Sequence, residues 1–328
     1  MYAAPVAGPS KLALIADVGH NAMRLGLTDS EGRLRRETIR TFDSREQSSI
    51  SGAFSSFGHD CALGELPRRC AIAVSGATLG DTISVPNSRW YLSRSGLTAM
   101  LQAPPLILND FAANAWALSV SESDAQVEAL AGARLQPGEP GTRCLIGLGS
   151  GLGIAVITQD EQGRIVVLST EGGHCHFMAG LAEVDALLTE RRAKGPVSAE
   201  DLLSKRGLFA LYRMVVESQG ARPRASDAKG VTHLASLHDP HAVRATALFA
   251  RALWYFAGNM ALTYGGWDGV MITGSLAQAL RPAIRSPDAI NYFVVHSPWQ
   301  RQLREVPRAI VSLEFAELRG AAQALLIH

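Results

Sequence analysis

The stretch that decides the fold is "RCLIGLGSGLGIAVITQD", residues 143–160. Two apolar runs flank "GLGSGLG", and their separation is too short for a parallel crossover, which needs a dozen or more residues. The segment therefore reads as strand, glycine-rich turn, strand. Such a turn can bring backbone N–H groups against an anion, because glycine permits positive φ and close approach. Taken alone it is equally an ordinary tight turn. The opening of the chain follows the same plan: "KLALIAD" (11–17), "MRLGLTD" (23–29) and "LRRETIRTF" (34–42) read as three strands, the first two forming a hairpin around "VGHNA". Two hairpins of one design predict two related α/β halves, although no long repeat is visible.

Working outward, residues 45–57 read as a helix and "RCAIAVS" (69–75) as a strand that ends on Gly76. "TISVPNSRWYLSRSGLTAML" (82–101) suggests a further hairpin and a helix. "PLILND" (105–110) is a short strand that passes at once into "FAANAWAL", whose alanines favour helix. Between Ser119 and Gly141 lies a polar region of mixed character ending in the turn cluster "QPGEPGT". Beyond the second hairpin come the strand "GRIVVLST", helices over 181–194, 198–218 and 241–265, the strand "GVMITGS" and a terminal helix in "ELRGAAQALLI". Strands that alternate first with turns and then with helices point to α/β in two lobes.

Composition narrows the function class. Hydrophobic residues make up 47% and charged residues 19% of the 328, as in ordinary globular proteins. A formal net charge of +1 gives no global field to attract nucleic acid or anionic lipid, so neither is expected as a partner. Cys61, Cys70, Cys144 and Cys175 form no C-x-x-C pair, and buried thiols in a reducing compartment are the simplest reading. "MYAAPVAGPS" has no basic n-region, and the longest apolar stretches carry Asn and Gly and fall short of a membrane span. A soluble, cytoplasmic protein is expected.

"LILNDFAANAWAL" (106–118), "GLGSGLGIAV" (147–156), "STEGGHCHF" (169–177), "VSAEDLLSKRGLFALYR" (197–213), "GVMITGS" (269–275) and "ELRGAAQAL" (317–325) occur in the order and roughly the spacing found in one family. Together they resemble a bacterial glucokinase of the hexokinase-like, actin-related ATPase superfamily. "TISVPNSRWYLS" (82–93) resembles the segment that precedes the sugar site. ROK-type sugar kinases are near neighbours, but their zinc-binding cysteine cluster is absent from this sequence. The resemblance implies a two-lobed hexokinase/actin-like ATPase fold with ribonuclease-H-like sheets and an ATP-filled cleft between the lobes. It implies a small N-terminal domain over 1–109, a large domain over 110–312, and a C-terminal helix of about 313–328 returning to the small one. ATP and Mg²⁺ are the implied cofactors, glucose or a closely related hexose the implied substrate. A homodimer is compatible with the apolar helix faces.

The site residues have readings of their own. Asp110 closes a strand and opens a helix, the edge at which α/β folds place ligands. A carboxylate there could cap the helix starting at Phe111; the resemblance makes it the base that takes the proton of a sugar hydroxyl, with Asn109 as a sugar contact. Glu171 and His174 bracket two glycines that let both side chains converge on one ligand, and the resemblance assigns them, with Glu200, to sugar hydroxyls. Without it, His174 and His176 at alternating positions of a strand could share a metal, though one histidine pair is a weak signal. Ser198 with Asp201 reads as a helix start. The resemblance assigns Gly149, Ser150 and Gly151 to phosphate, Gly274 with Ser275 to the adenosine pocket, and Asp17 to Mg²⁺ through water.

The first phosphate loop departs from the family's Asp-x-Gly-Gly-Thr-Asn-x-Arg. Aligned without a gap, the chain keeps Asp17, Gly19 and Arg24 but carries His20, Asn21 and Ala22 between them; a slip of one residue restores Asn21 to the Asn role. His20 adds a side chain where phosphates approach, and a positive φ there would strain the backbone by roughly 1–2 kcal/mol. A charged His20 could instead donate to phosphate. Three functions remain open at this stage: a glucokinase, a non-catalytic hexose sensor, or a kinase of altered hexose or donor, ADP- or polyphosphate-linked.

Overall fold

A computed structural model describes residues 12–47, 49–86, 88–120, 124–295 and 298–327. The chain divides into two compact units, one made of Met1–Ser123 and Glu314–His328, the other of Asp124–Leu313.

The first unit contains β1 (Ala13–Val18), β2 (Ala22–Thr28), β3 (Leu34–Asp43), α1 (Ile50–Asp60), β4 (Cys70–Val74), β5 (Thr82–Ser84), β6 (Tyr91–Ser93), α2 (Arg94–Leu101), β7 (Leu106–Asn109) and α3 (Asp110–Leu118). The sheet order is β3-β2-β1-β4-β7, with β5 and β6 pairing separately. β1, β2 and β3 are antiparallel neighbours, whereas β1, β4 and β7 run parallel.

Side-chain alternation assigns the two faces. Leu14, Ala16 and Val18, with Ile72 and Val74, pack against Phe54 and Phe57 of α1. The odd positions Ala13, Ile15, Ala71 and Ala73 face the other way and pack with Ala113 of α3 and with Leu318, Ala321 and Ala322. The last three belong to the closing helix α13 (Ala316–Ile327). Alanines on this face let the helices lie close to the sheet and to each other. A Cβ on Gly320 would run into the carbonyl oxygen of Ala113, so α13 touches α3 backbone to backbone. This packing places α3 in the first unit, which therefore extends past residue 109 to residue 123.

The second unit holds β8 (Gln126–Ala131), β9 (Gly141–Leu148), β10 (Leu152–Gln159), β11 (Ile165–Thr170), α4 (Ala182–Ala193), α5 (Ala199–Leu202), α6 (Lys205–Glu217), α7 (Ala228–Ser236), α8 (Pro240–Tyr264) and β12 (Val270–Thr273). It continues through α9 (Ser275–Ala279), α10 (Arg281–Ile284), α11 (Pro287–Ile290), α12 (Gln300–Glu305) and β13 (Arg308–Ser312). Its sheet runs β11-β10-β9-β12-β13-β8. The first five strands repeat the order and directions of the first unit's sheet: two antiparallel pairs, then two parallel ones. β8 adds an antiparallel edge. Cys144, Ile146 and Leu148 of β9 and Leu152, Ile154 and Val156 of β10 pack with Leu208, Leu211, Val215, Phe249, Leu253 and Trp254. The 25-residue α8 starts on an Asp239 cap with Pro240 in its first turn and stops at Gly265. These are strong start and stop signals.

Sequence patterning missed β8 and β13. β8 is a half-exposed edge strand and β13 five residues long, too little for periodicity to register. Among the described residues no helix is long and apolar enough to cross a membrane.

Glycine to alanine in an exposed helix interior stabilises by up to about 1 kcal/mol. At Gly320 the sign should reverse. Gly320→Ala should lower stability by about 1–3 kcal/mol or more through overpacking, read as a fall in Tm by calorimetry; an unchanged or raised Tm would refute the backbone contact.

Candidate active site

In the first unit, the carboxyl ends of the three parallel strands line up. Asp17 of β1 is level with Ala73 of β4, and Val74 is level with Asn109 of β7. Period-two alternation carries Asp17 onto the face of Ala13 and Ile15, beneath α13. There it is buried. Its partner is Arg24, directly opposite across the hairpin, whose Nε and Nη2 donate to Asp17 Oδ2 at 2.8 and 2.5 Å. Arg24 Nη2 also reaches Glu317 Oε2 of α13 at 3.3 Å, and Asn114 Nδ2 of α3 donates to Glu317 Oε1 at 3.3 Å. Burial, with repulsion from Glu317, pushes the Asp17 carboxyl up to about 7, even against the opposing pull of Arg24.

Asn109 and Asp110 divide the work at the start of α3. The helix cap is Asn109: its Oδ1 accepts from the N–H groups of Phe111 and Ala112 at 2.9 and 3.1 Å. The capping reading therefore belongs to Asn109, one residue before the position where the sequence suggested it. Asn109 Nδ2 donates to the carbonyl of Gly76 at 3.2 Å, and the amide carries a second N–H. The Asp110 carboxylate accepts from Ser75 Oγ at 2.5 Å. Ser75, Glu317 and Asn114 were absent from the sequence-based site. The one hint was that Ser75 follows a parallel strand at its carboxyl end, where α/β folds place ligands.

The hairpin after β1 closes through a bond from Gly19 N to Ala22 O at 3.0 Å. Neither His20 nor Asn21 takes positive φ, and both are exposed. The strain that a positive φ would bring to His20 does not arise, because the connection turns without a left-handed residue.

In the second unit the "EGGH" segment folds back onto β10. Thr170 Oγ1 donates to Ile154 O at 2.9 Å and accepts from Gly172 N at 3.2 Å. A Cβ on Gly173 would strike the carbonyl of Leu152, so only glycine allows this approach. Residues 172–174 form a single 3₁₀ turn. This corrects the alternation reading of His174 and His176: they do not share a strand. Among the described residues no cluster of three His, Cys, Asp or Glu could hold a metal. The turn instead brings His174 Nε2 to 3.7 Å from Glu171 Oε2, both side chains largely exposed.

Glu200 joins this group through tertiary pairing. The N–H groups of Ala199 and Phe177 donate to the carbonyls of Cys175 and Val197, both at 2.8 Å. That pairing lays the start of α5 beside "EGGHC", with Ser198 and Asp201 closing a capping box. Glu200 Oε2 accepts from Leu152 N at 3.0 Å, directly after the glycine-rich turn. A Cβ on Gly151 would lie 2.5 Å from the same oxygen, whereas one on Gly149 would meet nothing within 4 Å. Neither glycine has positive φ. Close approach, at Gly151, is the part of the glycine reading that the structure shows; positive φ is not used at either position. Ser150 sits between them and is exposed. Gly274 precedes α9 with φ of 101°, its α-carbon against the carbonyl of Leu148.

Such paired α/β units, with carboxylates, an asparagine and glycine turns at the strand ends, define the hexokinase-like, actin-related class of sugar kinases. The comparisons agree. A family model for glucokinase matches residues 14–328. The chain is 34% identical over 322 residues to a glucokinase of Stenotrophomonas maltophilia strain R551-3, covering 95% of this chain and 94% of that protein. A glucokinase structure from an Antarctic psychrotroph aligns with a TM-score of 0.83 at 25% identity, covering 97% and 99% of the two chains. A ROK family glucokinase from Streptomyces griseus, in complex with glucose and AMPPNP, shares the fold at a TM-score of 0.63 and 18% identity, covering 95% and 98%. The chain belongs to the glucokinase family, and is thus a kinase that phosphorylates a sugar.

The raised Asp17 pKa has a linkage consequence. The unfolded carboxyl titrates near its ordinary 3.8 and the folded one near about 7, so folding takes up a proton between these values and its contribution becomes less favourable as pH rises. Asp17→Asn abolishes that titration. The Tm of the variant minus that of the wild type should therefore grow as pH rises from about 4 to about 7 and level off above; a flat difference would mean Asp17 is not raised.

Proposed function

We propose that the chain transfers the γ-phosphoryl group of ATP to the primary hydroxyl of glucose, with Asp110 as general base. The observation that carries this reading is the division of labour at the start of α3. Asn109 performs the capping, so the Asp110 carboxylate is held by Ser75 at the strand ends. A carboxylate so placed can accept the hydroxyl proton as the nucleophile attacks.

The other residues supply binding and charge. Glu171, His174 and Glu200 accept and donate hydrogen bonds to vicinal hydroxyls, and Asn109 offers its second amide N–H. The residues present suit a magnesium nucleotide. Asp17 is a single hard-oxygen donor, enough for a cation that keeps most of its waters and takes the rest from phosphates. Beside Gly149 there is open space in which backbone can meet phosphate oxygens. Bound Mg·ATP supplies the transferable phosphoryl group and neutralises its charge. Gly19, His20, Asn21, Gly149, Ser150, Gly151 and Gly274 would contact it, with His20 as an exposed donor in the altered loop. The setting proposed is the cytoplasm, where Cys70 and Cys144, buried thiols with raised pKa, stay reduced.

A coupled assay with glucose, mannose and glucosamine against ATP, ADP and polyphosphate tests the reading; turnover restricted to another sugar or donor would replace it. Asp110→Asn should lose about 10²-fold or more in kcat while glucose binding is largely kept. An undiminished rate would remove Asp110 from the chemistry. Glu171→Gln should weaken glucose binding about tenfold by calorimetry, and unchanged affinity would undo its assignment.

A further inference from the structure

We propose that Ser75 is the positioning residue for Asp110, and that the corner Ser75–Gly76 sets the geometry of the whole Asn109–Asp110 pair. The proposal rests on the reading of Asp110 as the base. Ser75 stands on the face of β4 that carries Ala71 and Ala73, the face covered by α3 and α13. It is fixed at the backbone, where its N–H donates to the carbonyl of Val18 at 3.1 Å. Its hydroxyl then donates to Asp110 Oδ2.

The next residue completes the grip. Gly76 has φ of 115°, and a Cβ there would lie 3.1 Å from Pro86 Cδ and 3.2 Å from the carbonyl of Ser84. A side chain there would be strained by conformation and would press on both neighbours. This turn aims the Gly76 carbonyl at Asn109 Nδ2. Two successive residues of one strand end thus hold two successive residues of its neighbour.

The chemistry follows from the donor's direction. A serine hydroxyl has one proton, and here it is given to the carboxylate. That bond pins the plane of the carboxylate. Asp17 on β1, Arg24 on β2 and Glu317 on α13 form the charged surroundings on this face. A base misplaced by about 1 Å can cost about 10²-fold in rate, so the serine's effect should appear in kcat.

Steady-state kinetics on the full chain, with glucose and Mg·ATP, test this. Ser75→Ala should lower kcat about 10- to 100-fold with the glucose KM within about threefold of wild type. Ser75→Thr, which restores the hydroxyl, should recover most of the loss. Ser75→Ala combined with Asp110→Asn should be no slower than Asp110→Asn alone, because the two act as one unit. Should the alanine variant not fold, Ser75→Cys, a weak donor of similar size, should show the same loss of kcat. A wild-type kcat in Ser75→Ala, or a threonine variant as slow as the alanine one, overturns the role of Ser75 while an inactive Asp110→Asn leaves the base in place. A fully active Asp110→Asn overturns the base and this proposal with it.

Discussion

A helix laid backbone to backbone on another helix governs the first unit. Gly320 of α13 sits against the carbonyl of Ala113 in α3, and both helices rest on the small side chains of Ala13, Ala71 and Ala73. Packing at this distance leaves no room for a larger residue, since protein interiors tolerate little overpacking. Because α13 comes this close, Glu317 in its first turn reaches both Arg24 and Asn114. The strand ends, the hairpin and the start of α3 are thereby tied into one network around Asp17.

That network explains how a buried carboxylate is tolerated. Removing a charge from water is costly, and pairing with Arg24 offsets only part of it. The nearby Glu317 adds repulsion, and the balance leaves Asp17 raised. A group held in this way can answer to a change in its arginine partner.

The second unit solves a similar problem with different parts. Its glycines lie close to neighbours: Gly173 beneath the carbonyl of Leu152, where no side chain fits, and Gly151 beside the carboxylate of Glu200. The strand-like pairing of 175–177 with 197–199 delivers Glu200 to the turn after β9. Residues 48 positions apart in the chain thus share one small region. The same five-strand order underlies both units, so the two hairpins of the sequence belong to one repeated architecture.

The sequence by itself determined the strands of both hairpins, the helix after "LILND" and the long α8. Local rules sufficed there: period-two alternation and alanine-rich helix. Tertiary structure alone decided the rest. It made Asn109 the cap, which no dipeptide rule could settle, because Asp and Asn cap equally well. It paired Arg24 with Asp17 and Glu317, gave Ser75 to Asp110, let His20 turn without strain, and folded "EGGH" into a 3₁₀ turn. Each of these depends on a partner brought close by the sheet and helix packing, and a linear pattern carries no record of such distances.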